Sequence, residues 1–250
     1  MTAERTRVAL VTGGAGAIGH AVVGRLLRDG WTVVAAGREA RRLAALEAEF
    51  GSDLLGVRAD VADPASVAEL FAAVRDRAGR LDLLFNNAGV FGPSAPIEDV
   101  AYDDWRAVVD INLTGSFLCA QGAFRLMRDQ RPQGGRIINN GSIAAQVPRP
   151  RTAPYTAAKH AVSGLTKALA LEGRRYAIAC GQIDIGNAAT DATASAFAAL
   201  LQPDGRRVPE PTFDVAHVAE AVAYMAGLPP DANVQFMTVT ATAMPFVGRG

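Results

Sequence analysis

Cysteine is nearly absent from this chain: Cys119 and Cys180 are the only two, far apart and spaced neither as a disulfide framework nor as metal ligands. The three histidines, His20, His160 and His217, are scattered without companions at ligand spacing, so no catalytic metal is expected. Neither sign of charge is in excess, with 25 Lys+Arg against 25 Asp+Glu, and there is no basic or acidic tail. That balance argues against nucleic acid as a partner. No apolar run reaches the length of a membrane span. The polar stretch from Met1 to Arg7 leads into Val8-Ala-Leu-Val, which is too short for the core of a signal peptide. These absences together predict a cytoplasmic protein with reduced thiols and no membrane partner.

What the chain does have is 250 residues, half of them hydrophobic, enough for one domain over 1–250 with little room for a second. Short aliphatic runs alternate with longer amphipathic or Ala-rich stretches, the pattern of βαβ units. Strands are predicted near Arg7 to Val11, Thr32 to Ala36, Leu54 to Ala59, Leu81 to Asn86, Arg136 to Asn140, Ala177 to Ile185 and Val234 to Thr240. Helices are predicted near Ile18 to Asp29, Glu39 to Phe50, Pro64 to Ala78, Tyr102 to Asp129, Ala153 to Glu172 and Asp214 to Ala226. The right-handed crossover rule makes this an α/β fold with a doubly wound parallel sheet, and places ligands beyond the carboxyl ends of its strands.

Glycine makes up 25 residues, and its densest cluster follows the first strand: Val8-Ala-Leu-Val-Thr-Gly-Gly-Ala-Gly-Ala-Ile-Gly19. A strand, a tight glycine turn and a helix start in that order aim free N–H groups and the positive end of a helix at an anion, commonly a dinucleotide pyrophosphate. A second signal is Tyr155-x-x-x-Lys159. With four Tyr and two Lys in the chain, that spacing would arise by accident about three per cent of the time. On a helix it puts both side chains on one face, where an ammonium favours phenolate over phenol.

In these residues the chain resembles the short-chain dehydrogenase/reductase family, over nearly its whole length. Thr12-Gly13 followed by Gly19 is similar to the family's glycine turn, Asp60-Val61 to its adenine-contacting pair, and Asn86-Asn87-Ala88-Gly89 to its Asn-Asn-Ala-Gly motif. Asn112, Ser142, Tyr155 and Lys159 fall in the order of its catalytic tetrad. The resemblance implies a Rossmann-type seven-stranded sheet with helices on both faces, and hydride transfer between a nicotinamide cofactor and a small-molecule carbonyl or alcohol. Tyr155 would be the acid/base and Ser142 would hydrogen-bond the reacting oxygen. Lys159 would also bind the ribose hydroxyls, and Asn112 would hold a water in the proton relay. Cofactor contacts are implied for Thr12, Gly13, Ala15, Gly16, Ala17, Ile18, Gly19, Arg38, Asp60, Val61, Asn87, Ala88, Gly89, Tyr155, Lys159, Ile185, Gly186 and Thr190. A homodimer or homotetramer is implied as well.

NADP(H) is favoured over NAD(H). The position at the end of the second strand where NAD-using members of the family carry an acid is Gly37, and Arg38 follows it, where a guanidinium can pair with a 2′-phosphate. Arg41 and Arg42 either add to that field or are solvated. Ala17 stands where the family turn has its second glycine, and Ile185 where it has a proline. The segment 188–211 follows the sixth strand and is expected to be the substrate loop. Its Phe197, Leu200 and Leu201 either cover a partly hydrophobic substrate or pack a lid helix. Asp184 and Asn187 lie close to the expected site, either against substrate or satisfied by backbone. Two other readings are a non-catalytic dinucleotide sensor and an epimerase or dehydratase on the same scaffold.

Overall fold

The computed structural model of the chain describes residues 6–190 and 197–247. Its centre is a seven-stranded sheet of β1 (Val8–Thr12), β2 (Thr32–Gly37), β3 (Leu54–Arg58), β4 (Leu83–Asn86), β5 (Gly135–Asn140), β6 (Ile178–Ile185) and β11 (Phe236–Val239). The order is β11-β6-β5-β4-β1-β2-β3, with every pair parallel. Among the described residues between β6 and β11 lie four two-residue strands, β7 (Ala188–Ala189), β8 (Leu200–Leu201), β9 (Arg207–Val208) and β10 (Phe213–Asp214). The chain winds outward from β1 to β3, then returns to place β4 on the other side of β1, so β1 and β4 flank the point where the winding reverses. Crevices open at such points, at the carboxyl ends of the strands.

The period-two pattern of the strands sends successive residues to opposite faces, and both faces are covered. Ala9 and Val11 of β1 enter one core with α1 (Ala17–Arg28), α2 (Ala40–Phe50) and α7 (Ala216–Gly227), through side chains such as Val22, Leu26, Leu46 and Val222. Val8 and Leu10 enter the other, with α3 (Pro64–Ala78) and α5 (Gly115–Asp129), through Leu70, Val74, Ala123 and Met127; Leu169 and Ala170 of α6 (Ala153–Gly173) pack against it. Full burial of each such aliphatic side chain stabilises by about 1.5–3 kcal/mol. Local signals agree with the packing: Asp63 caps α3 by accepting from the Ala65 N–H at 3.0 Å, Pro64 opens the helix, and Gly79 closes it at φ 73°.

One predicted element divides in two. The expected helix from Tyr102 to Asp129 is α4 (Tyr102–Val109), a π-helical turn (Asp110–Thr114) and α5. The Gly115 N–H donates to the Asp110 carbonyl, five residues back. The cause is a tertiary contact: the Asn112 amide binds both the N–H and the carbonyl of Val90, in the loop after β4. Among the described residues no helix is long and apolar enough to cross a membrane.

Candidate active site

A cavity of about 830 Å³ lies at the carboxyl ends of the strands, over β1, β4, β5 and β6. At one end its wall is the glycine turn: Gly13 and the run from Ala15 to Gly19 line it. Gly16 is the N-cap of α1 and has no side chain to cap the helix, so the first N–H groups are left for an anion. Gly19 has to be glycine, because a Cβ there would lie 2.1 Å from the Gly13 carbonyl oxygen. Ala17, where the family turn has its second glycine, is exposed on the cavity wall, so its methyl is accommodated without crowding.

Arg38, at the end of β2, lines the same end of the cavity and is exposed. Glu39 and Arg42 line it too, paired with each other at 3.0 Å. Sequence reasoning gave Glu39 no role. Its place directly after Arg38 at a strand end was the available signal. Arg41 is not part of the lining.

Three residues named for cofactor contact do not line the cavity. Thr12 is wholly buried, and its hydroxyl accepts from the backbone N–H of Asn87 (2.9 Å) and of Ala88 (3.0 Å), tying β1 to the loop after β4. Asp60 caps its own turn by accepting from the Ala62 N–H at 3.0 Å. Val61 is buried in the core on the α3 and α5 face, facing Gly115. The remaining residues of the Asn-Asn-Ala-Gly motif, Asn87, Ala88 and Gly89, do line the cavity, as do Ile185, Gly186 and Thr190.

The other end holds Asn112, Ser142, Tyr155 and Lys159 together. Ser142 leaves β5 and starts a one-turn helix (Ile143–Ala145), its Oγ accepting from the Ala144 N–H at 3.1 Å. Tyr155 and Lys159 face the cavity from the first turns of α6, with Lys159 Nζ 5.6 Å from the centre of the Tyr155 ring. The Ser142 hydroxyl acts on the Tyr155 phenol and favours its charged form. Lys159 Nζ donates to the Asn140 carbonyl at 2.7 Å; the Asn140 amide donates to Asn87 Oδ1 at 2.9 Å, and the Asn87 amide to the Thr12 carbonyl at 2.9 Å. This chain of bonds crosses the ends of β5, β4 and β1 and joins Lys159 to the glycine turn.

The Asn112 side chain is engaged by backbone. Besides its two bonds to Val90, its Nδ2 donates to the Val108 carbonyl at 3.0 Å. Phe91, which sequence reasoning missed although it follows the Asn-Asn-Ala-Gly motif closely, lies 4.9 Å from the Tyr155 ring between centres and is 63% exposed, an apolar wall beside the phenol.

The electrostatics depart from the expectation that the ammonium lowers the phenol. Burial pushes the Tyr155 hydroxyl up to about 12; the Ser142 hydrogen bond works against that rise and the Asp184 charge works with it. Burial pulls Lys159 down to about 8, against the Asp184 charge. Desolvation outweighs pairing in this corner. Both cysteines are also buried and pushed up to about 12 by burial.

Phe197, Leu200 and Leu201 line the cavity, whereas residues 191–196 of the expected substrate loop lie outside the described residues. The far part of that loop is tied back by Arg149, which sequence reasoning also missed. Its guanidinium grips Glu210 with two bonds of 2.8 Å and donates to Asn187 Oδ1 at 2.9 Å. Asn187 and Gln202 also donate to Glu210, at 2.9 Å and 3.0 Å. Burial opposes the Glu210 charge, but the bonds from Arg149, Gln202 and Asn187 hold its carboxyl down at about 2.

Known proteins share this arrangement of elements. The short chain dehydrogenase family model matches residues 7–200. A relative is the 3beta-hydroxysteroid dehydrogenase of Mediterraneibacter gnavus, 41% identical over 180 residues; the match covers 71% of this chain and 64% of that one, a little under two thirds of its length. Among solved structures, a 3-ketoacyl-(acyl-carrier-protein) reductase from Brucella melitensis complexed with NADH matches with a TM-score of 0.83 and 25% identity, covering 95% of this chain and 98% of that one. A variant of actinorhodin polyketide ketoreductase with NADPH matches at 0.83 and 30% identity, covering 94% and 96%.

Proposed function

The chain belongs to the short-chain dehydrogenase family of oxidoreductases, and on that premise we propose that it interconverts a ketone and a secondary alcohol with NADP(H), using Tyr155 as acid/base. The observation that carries this reading is that Ser142, Tyr155 and Lys159 converge on the same cavity as the uncapped start of α1. An anion-binding turn and a proton donor share one crevice, as a dinucleotide and a carbonyl substrate require together.

The residues fit a nicotinamide dinucleotide. The open N–H groups after Gly16 suit the pyrophosphate, and the Gly19 position leaves no room for a side chain to block it. Lys159, held by the Asn140 carbonyl between the turn and Tyr155, would hold the ribose hydroxyls. When bound, the nicotinamide supplies or accepts the hydride. Tyr155, a phenol whose burial strengthens its hold on the proton, donates that proton to the carbonyl oxygen, and the Ser142 hydroxyl hydrogen-bonds that oxygen as charge gathers there. A protonated phenol suits ketone reduction as the forward direction. Phe91, Phe197, Leu200 and Leu201 favour a substrate with an apolar body.

Support for NADP(H) comes from Arg38, whose exposed guanidinium is placed to take a 2′-phosphate, while the nearest carboxylate, Glu39, is paired with Arg42. The chain acts as one functional unit in which 188–211 is the substrate loop. It works as a homo-oligomer, to which the exposed Tyr102, Trp105 and Phe117 around the π turn lend an apolar surface.

The test is a panel of ketones and alcohols with NADP(H) and NAD(H), followed by absorbance of the reduced nicotinamide. Reduction of carbonyl compounds with NADPH preferred is the expected result. Failure of every ketone and alcohol to change that absorbance would remove the reading, and equal use of both cofactors would remove the role of Arg38.

A further inference from the structure

Behind Ser142 lies a carboxylate that the mechanism above does not use. Asp184, on β6, is 1% exposed and accepts three hydrogen bonds: from the Ser142 backbone N–H (3.0 Å) and Gln182 Nε2 (2.7 Å) on Oδ1, and from Gln146 Nε2 (2.7 Å) on Oδ2. Gln182 is itself fixed, its Oε1 accepting from Thr166 at 3.0 Å and its Nε2 donating to Ser163 at 2.9 Å, both residues of α6. Gly141 is shaped to this group, since a Cβ there would lie 2.0 Å from Asp184 Oδ1. A buried carboxylate is costly to keep unless it is fully bonded, and a site that keeps one has it in a fixed place.

We propose that Asp184 is a positioning residue of the Ser142, Tyr155 and Lys159 site: it pins the Ser142 backbone and sets a fixed negative charge behind the Lys159 ammonium. The inference rests on the reading of this cavity given in the preceding section. Among the described residues Lys159 has no ion pair; it is bonded to a neutral carbonyl, and the charge that acts on it is Asp184. The other groups around this part of α6 do not duplicate it. Tyr155 is on the same helix; the carboxyl end of β5 and the turn 143–145 present neutral groups, while Arg136 at the start of β5 is bonded to Asn233 and the Ala232 carbonyl; Asn112 is the buried residue of the π turn. Arg149 is paired with Glu210, Asp110 is half-buried, and Asp103, Asp104 and Arg106 on α4 are exposed. The Asp184 charge raises both the Lys159 and the Tyr155 values, so removing it lowers both.

The chain has only two lysines, Lys159 and Lys167, which makes a direct test possible. Full-length protein carrying ¹³C at the lysine ε carbon gives two NMR signals, assigned with Lys167→Arg, and each is titrated in wild type, Asp184→Asn and Asp184→Ser. Asn keeps an acceptor for Ser142 with the same shape, and Ser offers a smaller neutral one. The Lys159 midpoint, which burial pulls down to about 8, is expected to fall by about one further pH unit in both variants, with Lys167 unmoved. An unchanged Lys159 midpoint in either variant with a wild-type thermal transition overturns the proposal. So does a shift in one neutral variant that the other lacks, since that reports geometry and not charge.

A second arm follows the pH dependence of alcohol oxidation in wild type and Asp184→Asn. The acid limb is expected to move to lower pH by a similar amount, whereas a fall in kcat with the limb unmoved assigns Asp184 to the fold alone and overturns the proposal. The lysine titration needs no turnover. Absence of nicotinamide-linked activity would therefore count against the proposed function and leave the titration to decide on Asp184.

Discussion

The two ends of the cavity are built from different materials. At the glycine turn the wall is mostly backbone, and the charges there, Arg38, Glu39 and Arg42, reach into solvent, with Glu39 and Arg42 both near 65% exposed in their side chains. At the tyrosine end Asn112, Ser142, Lys159 and Asn187 are between 0% and 7% exposed, and each is hydrogen-bonded within the protein. An exposed side chain can be exchanged at small cost to the fold and its field is screened by salt. A buried one leaves its partners without bonds when it is removed. The first end can thus set preference by single residues, while the second acts as a unit.

The sharpest way to break this contrast is Tyr155→Phe. Turnover should fall by a factor of about 10² to 10⁴ while NADPH affinity, measured by fluorescence, stays within about twofold of wild type, because the phenol contributes to chemistry more than to holding the nucleotide. Comparable losses in both would erase the division between the ends.

Next in size is Glu210→Ala, which strips Arg149 of its buried partner and should cost about 3 kcal/mol in urea unfolding. The sign of the pH dependence follows from a carboxyl held at about 2 in the folded protein against 4.5 ordinarily. Its contribution is fully present above about pH 4.5 and is lost as pH falls towards 2, amounting to about 3 kcal/mol. Stability of wild type, measured across that window, should converge on that of the variant. Parallel curves at constant offset would show that the carboxylate charge is not what holds the loop.

Smaller still, Arg38→Gln should weaken NADP(H) by about tenfold and NAD(H) hardly at all, and the difference should shrink in high salt, as an exposed charge requires. Equal weakening of both cofactors would show that Arg38 supports the wall and not a phosphate. Gln202→Ala, which removes one neutral donor from Glu210, should cost about 1 kcal/mol in unfolding; a cost rivalling that of Glu210→Ala would move the centre of the network from the ion pair to the amide.

Much of this was legible in the chain because it is local. All seven strands of the sheet and the glycine turn follow from period and turn chemistry, and Tyr155 and Lys159 are four residues apart on one helix. What escaped depends on contacts distant in sequence. Arg149 and Glu210 are 61 residues apart, and nothing near either residue announces the other. The π turn is drawn open by Asn112 reaching Val90, 22 residues earlier, where local propensity supports one continuous helix. Thr12, Asp60 and Val61 belong to recognisable motifs, yet their bonds and burial turn them into joints of the scaffold outside the cavity lining. The direction of the Tyr155 shift was missed for a related reason: adjacency of an ammonium is visible in a sequence, and depth below the surface is not.

The π turn also governs the phase of what comes after it. One surplus residue in the winding rotates α5 by about 100° relative to an uninterrupted continuation of α4. Only with that rotation do Cys119, Ala123 and Met127, all at 0% exposure, face the sheet. Straightening the helix by deleting a residue between 110 and 114 would swing the whole hydrophobic stripe sideways as it freed Asn112. The seam that ties one amide to the loop after β4 thereby also clocks the buried face of a fifteen-residue helix.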